Sequence, residues 1–223
     1  SRNGRIGLKS IDFFRMAVTT RLGHRLSYIG AVVFADNARA PGGDFLAVSS
    51  IILPHHSVDE LHEALREVDG KEPQSLLCLR GVSREQVVSM LEDFCNEGVP
   101  LESRLRADQL DMQGITAFQR HVYETTRAIP HGETRPYAWL AHKMKRRGSE
   151  RAVGRALGCN PFPLLVPCHR VVKKDGGLGG FMGDETPASW QVNLKRLLLD
   201  VEEQHRQPSL FATQPRVARV AAS

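Results

Sequence analysis

Cys168 and His169 stand side by side after an apolar run, Leu164, Leu165 and Val166, that is fenced by Pro163 and Pro167. A thiol attacks only as its thiolate, and an imidazole is well suited to take its proton near neutral pH. Proline donates nothing to a ladder, so 163–167 reads as a very short buried strand whose ends cannot join ordinary pairing. Low-dielectric surroundings would keep the Cys168 thiol protonated unless a base helps. On the residues alone three readings stay open: a buried structural cysteine, a hydrolase nucleophile–base pair, and a thiol that receives a group once. Successive strand residues face opposite ways, which places His169 poorly as a direct base for its neighbour.

The other cysteines, Cys78, Cys95 and Cys159, are dispersed and form no CxxC pair. That spacing argues against a disulfide framework and a zinc knuckle, and for a reducing compartment. His55-His56 has no partner cluster and reads as loop. The stretch 173–181 carries Gly176, Gly177, Gly179 and Gly180, which permit close backbone approach to a ligand. Its spacing is not that of a phosphate loop or a dinucleotide fingerprint, so a nucleotide cofactor is rejected. Neither a cofactor nor a metal is expected.

Charge adds a direction. The chain carries +5, but 116–175 has twelve Lys/Arg against four acids, a net +8 that leaves −3 for the remainder. A basic segment beside an acidic one fits a polyanion footprint on one half, or a solvated basic face. Hydrophobic content of 41% with 25% charged residues is ordinary for a globular chain. No apolar run is long enough for a membrane span, and no secretory h-region is visible near Arg2 and Arg5.

Around these residues the patterns predict two units. Residues 13–100 read as a small α+β domain, while 1–12 read as poorly ordered. Its β-rich runs at 13–19, 26–35 and 45–53 are separated by turn material at 21–24 and 37–43. Capping boxes at Ser57-Val58-Asp59-Glu60 and Ser83-Arg84-Glu85-Gln86 open two helices, the second stopped by Gly98-Val99-Pro100. Residues 101–115 read as a connection. In 116–204, a helix over 116–129 precedes a helix, a basic turn (Lys145-Arg146-Arg147-Gly148) and a second helix over 150–157 with Ser149 as its N-cap. Spacing makes this pair a candidate helix-turn-helix. The last helix covers 189–204, and 205–223 reads as a tail.

The residues carry a resemblance. Pro167-Cys168-His169-Arg170-Val171 is similar to the active-site pentapeptide of the O6-alkylguanine-DNA alkyltransferases (methylated-DNA–protein-cysteine methyltransferases). The likeness runs from about 110 to 202, somewhat under half the chain. It includes Phe118-Gln119, Ile129-Pro130-x-Gly132-Glu133-Thr134, Tyr137 and Arg151-Ala152-Val153-Gly154. Beyond these it includes Asn160-Pro161-x-Pro163, Gly176-x-Leu178-Gly179-Gly180 and Leu194-Lys195-Arg196-Leu197-Leu198.

That resemblance implies an α+β fold: a small N-terminal α/β (ribonuclease-H-like) domain, then a mostly helical C-terminal domain with a helix-turn-helix. The implied function is direct-reversal repair, moving the alkyl group of O6-alkylguanine, with O4-alkylthymine as a second candidate substrate, irreversibly to Cys168 in a single turnover. A non-catalytic relative that flips and flags alkylated bases is the alternative, but such relatives lack the cysteine. Implied catalytic residues are Cys168, a water, His169 and Glu202, with Asn160 holding the turn. On the DNA side stand Tyr137, Arg151 (which would fill the gap left by the flipped base), Ala152, Gly154 and Arg155. Val166, Pro167, Phe181 and Met182 would line the substrate pocket. The expected partner is double-stranded DNA with alkylated guanine, bound by a monomer in the cytoplasm, or the nucleus of a eukaryote. Gln207-Pro208-Ser209-Leu210-Phe211 resembles a sliding-clamp docking motif. Three positions depart from the family pattern: Lys145 replaces a turn glycine, Phe181 a tyrosine and Met182 a serine.

Overall fold

Alternating burial builds the first half of the molecule. The computed structural model describes residues 8–19, 25–35, 45–55, 57–68 and 75–204. Strands β1 (Leu8–Thr19), β2 (Arg25–Ala35), β3 (Phe45–His55), β4 (Leu76–Arg80) and β5 (Leu110–Gln113) form one sheet in chain order, every neighbouring pair antiparallel. Phe14, Met16, Tyr28, Val32 and Phe34 turn to one face, and Ala31 and Val33 to the other. A bulge in β3 then changes the phase. Pairing steps from Val33↔Ser50 to Phe34↔Val48, so Val48 and Ile51 share a face. Ser49, buried inside the bulge, donates its hydroxyl to the Val33 carbonyl at 3.0 Å. At Gly30 a Cβ would lie 2.4 Å from the Phe14 ring, so that crossing admits no side chain.

Helix α1 (Val58–Val68) covers one face through Leu61 and Leu65. Helix α2 (Arg84–Glu97) covers the other with Val87, Met90, Leu91 and Phe94. Ser83 and Gln86 close its capping box, and Gly98 ends it in the left-handed conformation. From α2, Glu92 accepts from the Arg15 amide, while Asn96 accepts from the Ala17 amide and donates to the Arg15 carbonyl. Those side chains occupy the outer edge of β1.

The second half is helical: α3 (Ala117–Arg127), α4 (Tyr137–Lys143), α5 (Glu150–Gly158) and α6 (Trp190–Gln204). Two short strands, β6 (Arg135–Pro136) and β7 (Val171–Val172), pair in parallel. Thr116 and Gln119 form the capping box of α3. One apolar cluster runs from Phe14 and Phe94 through Tyr123, Val153 and Phe162 to Leu198, so the halves share a core.

Several expectations change. Strand β1 begins at Leu8, so 8–12 belongs to the sheet. The stretch expected to be a connection holds two 3-10 turns and then β5, which pairs Leu77↔Met112. Only one residue of β5, Met112, is buried, which left no alternation to read. The ribonuclease-H-like layout would place a parallel crossover pair in the sheet; here β4 lies antiparallel beside β3. The outer edge of β1 is already taken by Glu92 and Asn96. The turns expected at 21–24 and 37–43, His56, and Gln207-Pro208-Ser209-Leu210-Phe211 lie outside the described residues. Among the described residues no helix is long and apolar enough to cross a membrane.

Candidate active site

Helix α5 ends at Gly158, and Asn160 then organises the turn that follows. Its Oδ1 accepts from the Phe162 amide at 3.1 Å, and its Nδ2 donates to the Val166 carbonyl at 3.0 Å and to Cys168 Sγ at 3.4 Å. Leu164 takes a left-handed φ of 71°, and the Val166 amide bonds back to Phe162 at 2.8 Å. The run 163–167 is therefore a closed loop and not the short strand expected. Asn160 satisfies internally the groups a ladder would have used. The loop is also tied to the sheet. Its Pro161 carbonyl accepts from the Ile51 amide at 3.0 Å, on the length of β3 that β4 does not reach.

Cys168–Arg170 form a 3-10 turn, all three buried. The strand argument that separated Cys168 from His169 thus loses its premise. Burial pushes the Cys168 thiol up; the Asn160 amide, the Lys195 charge and the amides of Cys168 and His169 pull it back part of the way. His169 Nε2 lies 2.8 Å from Glu202 Oε1. Burial alone would raise the Glu202 carboxyl, but His169, Arg170 and the Gly132 amide hold it down at about 2. Glu202 is therefore ionised and can only accept, which puts the His169 proton on Nε2 and leaves Nδ1 as the basic nitrogen. Nδ1 is buried and has no partner among the described residues.

Three residues of this network were not singled out from the sequence. Arg170, 1% exposed, donates from Nε to both oxygens of Glu202 at 2.9 and 3.1 Å, and from Nη1 to the Ile129 carbonyl and to Glu102. Lys195, fully buried, donates to the carbonyls of Val171, Leu178 and Gly180 at 2.6, 2.6 and 3.2 Å. Burial lowers its ammonium to about 8, against the favourable pull of Cys168. His131, in the turn after α3, places Nδ1 3.7 Å from Glu202 Oε1. Helical period held a signal for one of them. Lys195 and Glu202 are seven apart, on the buried stripe of Leu194, Leu198 and Val201.

The remaining expected residues lie at the rim. Tyr137 opens α4, half-buried, with its hydroxyl 3.3 Å from where a Cβ would stand on Gly179. Burial, then Cys168 and Glu185, push its phenol up to about 12. Gly154 of α5 faces the Tyr137 ring, whereas Arg151, Ala152 and Arg155 are exposed along that helix. Between α4 and α5, Lys145 adopts a left-handed φ of 57°. Ser149 precedes α5 but gives its hydroxyl to the Arg146 carbonyl and caps no helical amide. Val166, Pro167 and Phe181 are buried, with the Phe181 ring centred 5.9 Å from Lys195 Nζ. Met182 is different: it is 38% exposed with φ 51°, at the tip of a turn closed by Phe181 and Asp184. Among the described residues no group of three or more His, Cys, Asp or Glu could hold a metal.

Residues 117–204 match the family described as "6-O-methylguanine DNA methyltransferase, DNA binding domain". This segment is similar to that domain. The methylated-DNA–protein-cysteine methyltransferase of Methanothermobacter thermautotrophicus is 42% identical over 93 residues, 42% of this chain and 48% of the relative. That of Salmonella typhimurium is 43% identical over 86 residues, 39% of this chain and 50% of the relative. The chain thus spans about half the length of the curated relatives it matches. The solved O6-methylguanine-DNA methyltransferase of Pyrococcus kodakaraensis is similar in fold, with a TM-score of 0.54 at 22% identity. That likeness covers 85% of this chain and 99% of the other, so it takes in the sheet as well as the helices.

Proposed function

We propose that this chain repairs O6-alkylguanine in duplex DNA by moving the alkyl group to Cys168. One observation carries the reading: a buried thiol held by Asn160 sits next in sequence to a histidine whose tautomer leaves Nδ1 free to take a proton. A bridging water links Sγ to Nδ1, and Glu202 stabilises the imidazolium that forms. The thiolate then attacks the alkyl carbon; the C–S bond forms as the C–O6 bond breaks. The proton lost by the thiol ends on the released guanine. Because a thioether is not hydrolysed, each molecule reacts once.

The rim supports the delivery of the base. Helices α4 and α5 act as a helix-turn-helix on the minor groove, with Lys143, Lys145, Arg147, Arg151 and Arg155 meeting phosphates. The target guanine leaves the stack, Arg151 fills the gap, and Tyr137 crowds the adjacent phosphate. Phe181 covers the base but donates no hydrogen bond, and Met182 has no hydroxyl for O6. Leaving-group stabilisation therefore falls to Tyr137 and backbone amides. Intact mass after mixing with an O6-methylguanine duplex tests the reading. Wild type gains one methylene per molecule, once, and Cys168→Ala gains nothing. An unchanged wild-type mass sinks it.

A further inference from the structure

We propose that His131 is a second imidazole on the Glu202 carboxylate, a positioning residue that decides how much of Glu202 is left to orient His169. The inference rests on the alkyl-acceptor reading above. His131 occupies the open position of Ile129-Pro130-x-Gly132, so the family motif does not demand it. Its ring stands edge-on to Phe94, centroids 6.1 Å apart at 88°, and Phe94 meets the His169 ring from the same core at 5.9 Å.

A donor and an acceptor beside His131 force a choice. Nδ1 lies 3.5 Å from Arg170 Nη2 and 3.7 Å from Glu202 Oε1. A guanidinium only donates. Neutral His131 therefore accepts at Nδ1 and carries its proton on Nε2, which is buried and has no partner among the described residues. A second proton can go only to Nδ1. Arg170 Nη2 then faces another donor, and the nearest acceptor becomes Oε1, which already takes His169 Nε2 and Arg170 Nε. Three donors converge on one oxygen, the hold on His169 weakens, and the new charge opposes protonation of His169.

Every charged group facing His131 enters this balance: Glu202 from α6, Arg170 and His169 from the 3-10 turn, and Glu102 from the turn after α2. Burial, Arg170 and His169 outweigh the two carboxylates, so His131 titrates below the ordinary histidine value and is neutral at neutral pH. Near pH 7 Glu202 serves His169. In acid His131 takes its share.

Imidazole 15N titration of the intact chain tests this, comparing wild type with His131→Gln and with His62→Gln, an exposed histidine of α1. In wild type His169 titrates in two coupled steps; in His131→Gln it titrates in one, displaced upward, and His62→Gln matches wild type. Single-turnover transfer on the same proteins gives a companion readout. The acid limb of His131→Gln is shallower by about one proton, with its rate at pH 8 within about threefold of wild type. A His169 curve that His131→Gln leaves unchanged overturns the inference, whatever the transfer assay gives. A wild type that never transfers overturns the acceptor reading, while the titration still decides the role of His131. If His131→Gln fails to fold, His131→Asn undergoes the same titration with the same outcomes.

Discussion

Two ends of the second half solve opposite problems. Around Glu202 three donors are committed within the protein: His169, Arg170 and the Gly132 amide all point at one buried carboxylate. Along α4 and α5 the basic side chains Lys143, Arg151 and Arg155 are exposed, and Lys143 lies over the Trp139 ring. The first arrangement is organised before any substrate arrives. The second leaves its cations in solvent. Buried charge is costly unless paired, so the inner network trades stability for orientation, while the rim keeps its cations solvated.

Breaking the inner network should cost most. Arg170→Met strands Glu202 and Glu102, and urea unfolding should register a loss of about 3–5 kcal/mol. Acid should dismantle the same network in two stages. His131 and His169 have lowered values in the folded state, so below about pH 6.5 the unfolded chain binds protons that the folded chain refuses, and stability falls. Glu202, held at about 2, contributes fully above the ordinary carboxylate range and loses that contribution as pH falls toward 2. Denaturation at a series of pH values should therefore give a curve that declines monotonically from pH 7 downward; a maximum near pH 5 would contradict the assignment.

The rim should behave otherwise. Arg151→Ala should weaken duplex binding and reduce its salt slope by about one, with stability unchanged within about 0.5 kcal/mol. Loss of stability there would mean that the two ends are not separate. The smallest effect sharpens the contrast. Lys145→Gly removes a side chain from a left-handed residue and should raise stability by about 1 kcal/mol while lowering DNA affinity. Thermal melts and a salt-dependent binding series read both signs.

How much of this could be read from residues follows the same divide. Helices announced themselves through local signals, because a cap such as Ser57 on the Glu60 amide or Ser83 with Gln86 lies within four residues. Cys168, His169, Asn160 and Glu202 came from the family resemblance, and the structure joins Asn160 to Cys168 and His169 to Glu202 by hydrogen bonds. Strand β5 escaped because its pairing with β4 is non-local and buries a single side chain. The turn at 160–167 was misread as strand because the left-handed Leu164 carries no composition signal. Arg170, Lys195 and His131 escaped for a further reason: charged residues usually solvate, and only the assembled core reveals partners such as the Ile129 and Val171 carbonyls.

The Ile51–Pro161 hydrogen bond gives the sheet a duty beyond support. Because the bulge at Ser49 fixes which amide of β3 faces outward, strand register is transmitted through Pro161 to Asn160 and so to the sulfur. A slip of one residue in β3 would present the wrong group to the loop. The N-terminal half thus works as a gauge block against which the Cys168 turn is set, and a defect far from the thiol would surface as a displaced sulfur.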